Sequence, residues 1–158
     1  DVCSSDLTGT EAALETYQKI ADTISEYRRD ALLKIGKIYE QRDQPQQAIA
    51  IYRQALQSER SESDISNAEL LFAIGDNYES LNNDEAAVEE YLKIVYLNDS
   101  ENSWIIKAYL RTARIFENQE QWEQAKVTYQ KILELNSEES KYAQERIDWI
   151  SNVVNHQK

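Results

Sequence analysis

"ALLKIGKIYEQRDQPQQAIAIYRQAL", Ala31 to Leu56, decides the fold because its pattern returns twice. "LLFAIGDNYESLNNDEAAVEEYLKIV" runs from Leu70 and "AYLRTARIFENQEQWEQAKVTYQKIL" from Ala108. Tyr39, Tyr78 and Phe116 lie 39 and then 38 residues apart. Ala48, Ala87 and Ala125 keep the same two intervals, as do Tyr52, Tyr91 and Tyr129. Three marker sets in step define an internal repeat. Self-similarity at this period means one supersecondary unit stacked on copies of itself.

Each copy reads as two helices. Leu32, Ile35, Gly36 and Tyr39 fall on one helical face at i, i+3, i+4, i+7 spacing. "RDQP", Arg42 to Pro45, interrupts the pattern, and proline suits the first turn of a new helix. Ala48, Ile51, Tyr52 and Ala55 form the second stripe. "LNND" at Leu81 and "NQEQ" at Asn118 break the other copies, with an Asn or Asp available to cap the helix that follows "LNND". Gly36, Gly75 and Ala113 on the first helices, with Ala48, Ala87 and Ala125 on the second, mark where two helices cross closely. Only small side chains permit that approach, and the aromatics fill the wedges between pairs.

This order of bulky, small, aromatic, alanine and aromatic residues resembles the tetratricopeptide repeat, whose unit has 34 residues. Leu32, Ile35, Gly36, Tyr39, Ala48, Tyr52 and Ala55 carry the match in the first copy. Leu71, Ile74, Gly75, Tyr78, Ala87, Tyr91 and Ile94 carry it in the second. Tyr109, Thr112, Ala113, Phe116, Ala125, Tyr129 and Ile132 carry it in the third, with Thr112 a polar departure. The resemblance implies an all-α protein, a right-handed α-solenoid of antiparallel helix pairs with a C-terminal capping helix. It implies one domain over 8–158: repeats at 29–60, 64–98 and 101–136, the second helix of a truncated repeat at 8–27, and the cap at 137–156. Ala13 and Tyr17 precede Ala48 and Tyr52 by 35 residues, which places "EAALETYQKIADTI" from Glu11 in that second helix. Ser137 is the expected N-cap of the last helix, whose Tyr142, Arg146, Ile147, Trp149 and Ile150 cover the preceding pair.

The extra length beyond the family's period falls in "SERSESDIS" (Ser58–Ser66) and "LNDSENSW" (Leu97–Trp104), about one helical turn each. Such stretched spacing resembles bacterial cell-envelope members of the family, including those of the Tol–Pal system and of outer-membrane protein assembly. It favours the periplasm or an outer-membrane association over the cytoplasm. "DVCSSDL", Asp1 to Leu7, resembles the in-frame translation of a sequencing adapter, so the first seven residues are expected to be an artefact. The chain is then expected to start in mid-repeat, as a fragment of a larger bacterial protein.

Composition narrows the function. The 158 residues carry 29 acidic against 17 basic groups, a net charge of −12. Duplex binding needs clustered Lys/Arg, and anionic membrane surfaces repel this balance. The longest apolar runs, such as Leu70–Gly75, are too short to span a bilayer. Three glycines and one proline are too few for a many-stranded β-protein. His156, the only histidine, lies two residues from the C-terminus, where chains fray, and Cys3, the only cysteine, lies in the adapter-like heptapeptide, so the sequence offers no credible Ser–His–Asp or Cys–His arrangement and too few ligands for a zinc site. Gly9, Gly36 and Gly75 are isolated and form no phosphate loop. The sequence therefore predicts no enzyme, no cofactor and no metal. Most of the ten tyrosines hold repeat positions, which assigns them to packing rather than base stacking. "NDS" at Asn98 fits a glycosylation acceptor, although a capped linker explains it as well.

Function then falls to the first helices, which in the resembled family line a concave, peptide-binding face. The carry-over gives Asp30, Leu33, Lys37 and Glu40; then Glu69, Phe72, Asp76 and Glu79; then Lys107, Leu110, Arg114 and Glu117. Leu33, Phe72 and Leu110 make an apolar line, and Glu40, Glu79 and Glu117 an acidic one. Lys37, Asp76 and Arg114 alternate in sign. Lys107 and Arg111 match two of five residues of the family's carboxylate clamp, while Leu33, Lys37 and Ala73 replace the rest, so no clamp is expected. The expected partner is a protein or peptide segment with apolar and basic residues. The bland alternative makes the apolar line half-buried and the acids merely solvated. A structural spacer or self-association module of a longer multidomain protein is the other functional reading, because solenoid ends expose apolar faces.

Overall fold

The computed structural model describes residues 2–58, 66–97 and 101–156, with side chains at 10–58, 66–97 and 101–154. Every regular element among the described residues is helical, and the helices associate as packed neighbours, the all-α arrangement of helix pairs that the repeat predicts. The chain divides into two compact units, Asp1–Asn83 and Asp84–Lys158. The first contains α1 (Val2–Thr23), a 3-10 turn (Ser25–Tyr27), α2 (Arg28–Gln41), α3 (Pro45–Gln57) and α4 (Asn67–Ser80). The second contains α5 (Asp84–Val95), α6 (Asn102–Asn118), α7 (Trp122–Glu134) and α8 (Ser140–His156). Within each unit a helix packs on its sequence neighbour: α1 on α2, α2 on α3, α3 on α4, and likewise from α5 to α8.

The turn after each repeat's first helix is the same in all three copies. Asp43, Asn82 and Glu120 adopt left-handed backbone, with φ of 56°, 54° and 57°. Asp43 N–H donates to the Glu40 carbonyl (3.0 Å) and Gln44 N–H to the Tyr39 carbonyl (2.9 Å). Asn82 and Asn83 repeat these bonds to Glu79 and Tyr78, and Glu120 and Gln121 repeat them to Glu117 and Phe116. These paired bonds satisfy the carbonyls that a helix end leaves orphaned. Asn82 of "LNND" therefore closes α4. Pro45 begins α3, where its missing N–H is no loss. Ser66 caps α4 by accepting the Glu69 N–H at 3.1 Å.

In the first unit, Ala48, Tyr52 and Ala55 of α3 are fully buried with Leu32 and Ile35 of α2, and Tyr39 and Tyr78 pack against this cluster half-buried. A methyl group at Gly36 would overlap the Tyr52 ring, which is why the crossing of α2 and α3 needs glycine. In the second unit, Ala113, Ala125, Tyr129 and Ile132 pack with Ala143, Ile147 and Ile150 of α8, and Phe116 lies against them. Thr112 is buried here with its hydroxyl unpaired.

Arg29 is an unexpected core residue, only 1% exposed. Its Nη1 donates to the Ala55 carbonyl at the end of α3 (3.1 Å), and its Nη2 donates to Asn67 Oδ1 at the start of α4 (2.5 Å). A cation beside the carbonyl end of a helix also meets that helix's negative pole.

Two boundaries differ from expectation. α1 ends at Thr23 and gives way to the 3-10 turn, where the sequence reading extends a helix to residue 27. α8 starts at Ser140, not Ser137. Asn136 closes α7 with φ 49°, and the Ser140 hydroxyl accepts the Ser137 N–H (3.1 Å), so the polar turn closes from the Ser140 side. The linker stretches at 59–65 and 98–100, including Asn98, lie outside the described residues, as do the side chains of the adapter-like heptapeptide and of His156.

Candidate partner-binding faces

In the first unit α2 and α4 bring together six of the anticipated residues. Leu33 is 5% exposed, so it belongs to the core beneath the face. Phe72, Asp76 and Glu79 are half-buried, and Lys37 and Glu40 are exposed. Lys37 Nζ lies 3.8 Å from Glu69 Oε1, a surface pair of little energetic weight. Glu40 accepts a hydrogen bond from Asn77 Nδ2 at 2.6 Å, and the same amide group donates to the Ala73 carbonyl at 2.7 Å. Glu40 also faces the Tyr52 hydroxyl. Burial first, then the Glu40 charge, hold that phenol far above its ordinary titration range.

The second unit repeats the theme on α6 with different donors. Lys107 is exposed and stacks its ammonium over the Trp104 ring at 4.2 Å. Leu110 is half-buried against the core, and Arg114 is exposed. Arg111 Nε donates to the Tyr91 hydroxyl at 3.4 Å. Glu117 takes a bidentate pair from Arg146 of α8, Nε to Oε1 at 3.0 Å and Nη2 to Oε2 at 2.7 Å. The Arg146 guanidinium lies over the Trp149 ring at 4.3 Å, and Trp149 meets Trp122 edge-on at 5.9 Å. Tyr129 is held up like Tyr52, by burial and then by Glu117.

The acidic line is thus not simply solvated: Glu40 and Glu117 each sit between a buried tyrosine and a donor from a later helix. Sequence reasoning missed those donors. For Asn77 a signal existed, since Ile38 and Ile115 stand at the equivalent repeat positions. For Arg29 the equivalents are Ala68 and Ile106, equally apolar.

Among the described residues, the first unit contains two hollows of note. One, of about 580 Å³, runs between α1 and α2, where Arg42 Nη2 meets Glu11 Oε2 at 2.8 Å. The other, of about 220 Å³, is lined by Glu40, Asp43, Pro45, Asp76, Asn77 and Ser80. Among the described residues, no group of three His, Cys, Asp or Glu is placed to hold a metal, and no helix is long and apolar enough to cross a membrane.

Comparison with known proteins follows the same lines. Family models described as tetratricopeptide repeat match residues 30–59 and 107–138, and a second such model matches 68–101, together more than half of the chain. Two crystal structures of MamA share the fold. One has a TM-score of 0.69 at 18% identity, covering 98% of this chain and 85% of that one. The other has a TM-score of 0.66 at 18% identity, covering 94% of this chain and 75% of that one. No curated protein sequence matches the chain.

Proposed function

The chain belongs to the tetratricopeptide repeat family, and from that premise we propose that it is a non-catalytic scaffold whose first helices capture a partner polypeptide. The observation that carries this reading is the mixed character of the first helices, α2 and α4 in the first unit and α6 in the second. In the first unit half-buried Phe72 shares α2 and α4 with charged Lys37 and Asp76, and in the second half-buried Leu110 shares α6 with charged Arg114. An interface needs that combination of apolar anchors and polar rim. The charge of −12 favours a partner segment with basic residues. The stretched repeat spacing supports a bacterial cell-envelope setting. Ile24 and Tyr27, 44% and 51% exposed, favour self-association as the second reading.

A peptide array followed by titration tests the proposal. The Phe72→Ala/Leu110→Ala variant is expected to bind array-selected peptides at least about tenfold more weakly, some 1.4 kcal/mol, with helical content retained. Equal binding would remove these faces from consideration. Sedimentation of the free protein that shows assembly growing with concentration, together with no peptide capture, would favour self-association.

A further inference from the structure

In the first unit α1 carries the stripe of α3, 35 residues earlier: Ala13, Tyr17 and Ile20 stand where Ala48, Tyr52 and Ala55 stand. The α3 stripe is closed by α2, whose Gly36 passes against the Tyr52 ring, and all three α3 residues are fully buried. The α1 stripe has similar chemistry and lacks that cover. Ala13, Tyr17 and Ile20 are only half-buried, and Ile24, one turn further on, is 44% exposed. Among the described residues of this unit, α1 packs on α2 and the 3-10 turn, as α3 packs on α4. No described helix of the unit stands against α1 as α2 stands against α3.

A charge marks the same place independently. Lys37, the residue after Gly36 on α2, meets Glu69 of α4. Asp30 holds on α2 the register that Glu69 holds on α4, 39 residues earlier. Among the described residues, Asp30 Oδ1 is enclosed without a hydrogen-bond partner. The covering helix that α3 and α4 receive thus brings a small residue to the tyrosine and a cation to the acid. On α1 and α2 the tyrosine and the acid are both present, and the helix that would serve them is not among the described elements.

We propose that the Ala13–Tyr17–Ile20 stripe docks an amphipathic helix of a partner protein, one that sets glycine or alanine against Tyr17 and a lysine or arginine, at the next position, opposite Asp30. A helix laid by its apolar face along such a stripe is a common mode of peptide recognition. Close packing against an aromatic ring admits only a small side chain at the crossing, and the cation fixes the register of the incoming helix. The site is separate from the Lys37–Phe72–Asp76 surface proposed above, and either assignment can fail without the other.

The probe is a capped synthetic peptide with the sequence of Arg28–Gln41, which carries Leu32, Ile35, Gly36 and Lys37 in the required order. Titrated into the isotope-labelled protein, it is expected to shift the amide signals of Ala13, Tyr17, Ile20 and Asp30 saturably. Gly36→Leu in the peptide is expected to weaken binding about tenfold or more, because the added side chain meets the Tyr17 ring. Lys37→Glu in the peptide should also weaken binding, and Asp30→Lys in the protein should restore it for that peptide. Lys107 holds the equivalent register in the third copy, so the repeat accepts lysine there. No saturable shift on α1, shifts gathered at Phe72 and Asp76 instead, equal binding by the Gly36→Leu peptide, or no rescue by the charge swap would overturn the assignment. So would α1 signals that move with protein concentration in the absence of peptide, which would give the stripe to a second copy of this chain.

Discussion

Gly36→Leu is expected to destabilise the protein by about 3 kcal/mol, roughly a 10 °C fall in Tm. A side chain there meets the Tyr52 ring, and Tyr52 is fully buried beside Ala48 and Ala55. The ring cannot swing into solvent without emptying the core. Gly36→Ala gives the sharper sign. Alanine at an exposed helix interior stabilises by about 1 kcal/mol relative to glycine. At Gly36 the overlap falls on the body of a buried ring, not on a flexible side-chain end, so alanine is expected to destabilise by about 1–3 kcal/mol. Urea unfolding followed by helical circular dichroism reads both variants. A Gly36→Ala protein more stable than wild type would show that α2 and α3 do not cross as tightly as described.

Arg29→Ala carries the second large effect, a loss of about 3 kcal/mol. Truncation removes one donor from the Ala55 carbonyl, which keeps the Ser58 hydroxyl at 2.7 Å, and the Arg29 donor from Asn67 Oδ1, and it opens a cavity where the guanidinium lay. Arg29→Met separates volume from charge. The equivalent residues Ala68 and Ile106 are apolar and buried, so the repeat accepts a hydrocarbon there. Methionine is therefore expected to recover about half of the loss, the remainder reflecting the two lost hydrogen bonds. An Arg29→Ala protein within 0.5 kcal/mol of wild type, a small surface-like effect, would contradict the role of this side chain in joining α3 to α4.

The residues that were legible in the sequence are those whose size alone decides their place. Tyr52, Tyr91 and Tyr129 are fully buried, Ala48, Ala87 and Ala125 likewise, and their spacing announces the helix pairs. Illegible were residues whose place depends on a distant partner. Arg29 carries no marker of burial in the sequence, and only the folded Ala55 carbonyl and Asn67 amide give it a place in the core. The acids at Glu40 and Glu117 read as a ladder, but Asn77 and Arg146, 37 and 29 residues away, engage them. The left-handed turns were hidden for another reason. Asp43, Asn82 and Glu120 are three different residues, so no shared glycine marks the positive φ along the repeat. Leu33 resembled a contact residue by register, yet its neighbours bury it.

The most direct test of the central claim is to map where a captured peptide touches the protein, by amide chemical-shift perturbation with an array-selected peptide. The account predicts perturbations on α2 and α4 in the first unit, around Lys37, Phe72 and Asp76, or on α6 in the second, around Leu110 and Arg114. Perturbations confined to α3, α5 and α7, or the absence of any peptide that binds, would contradict it.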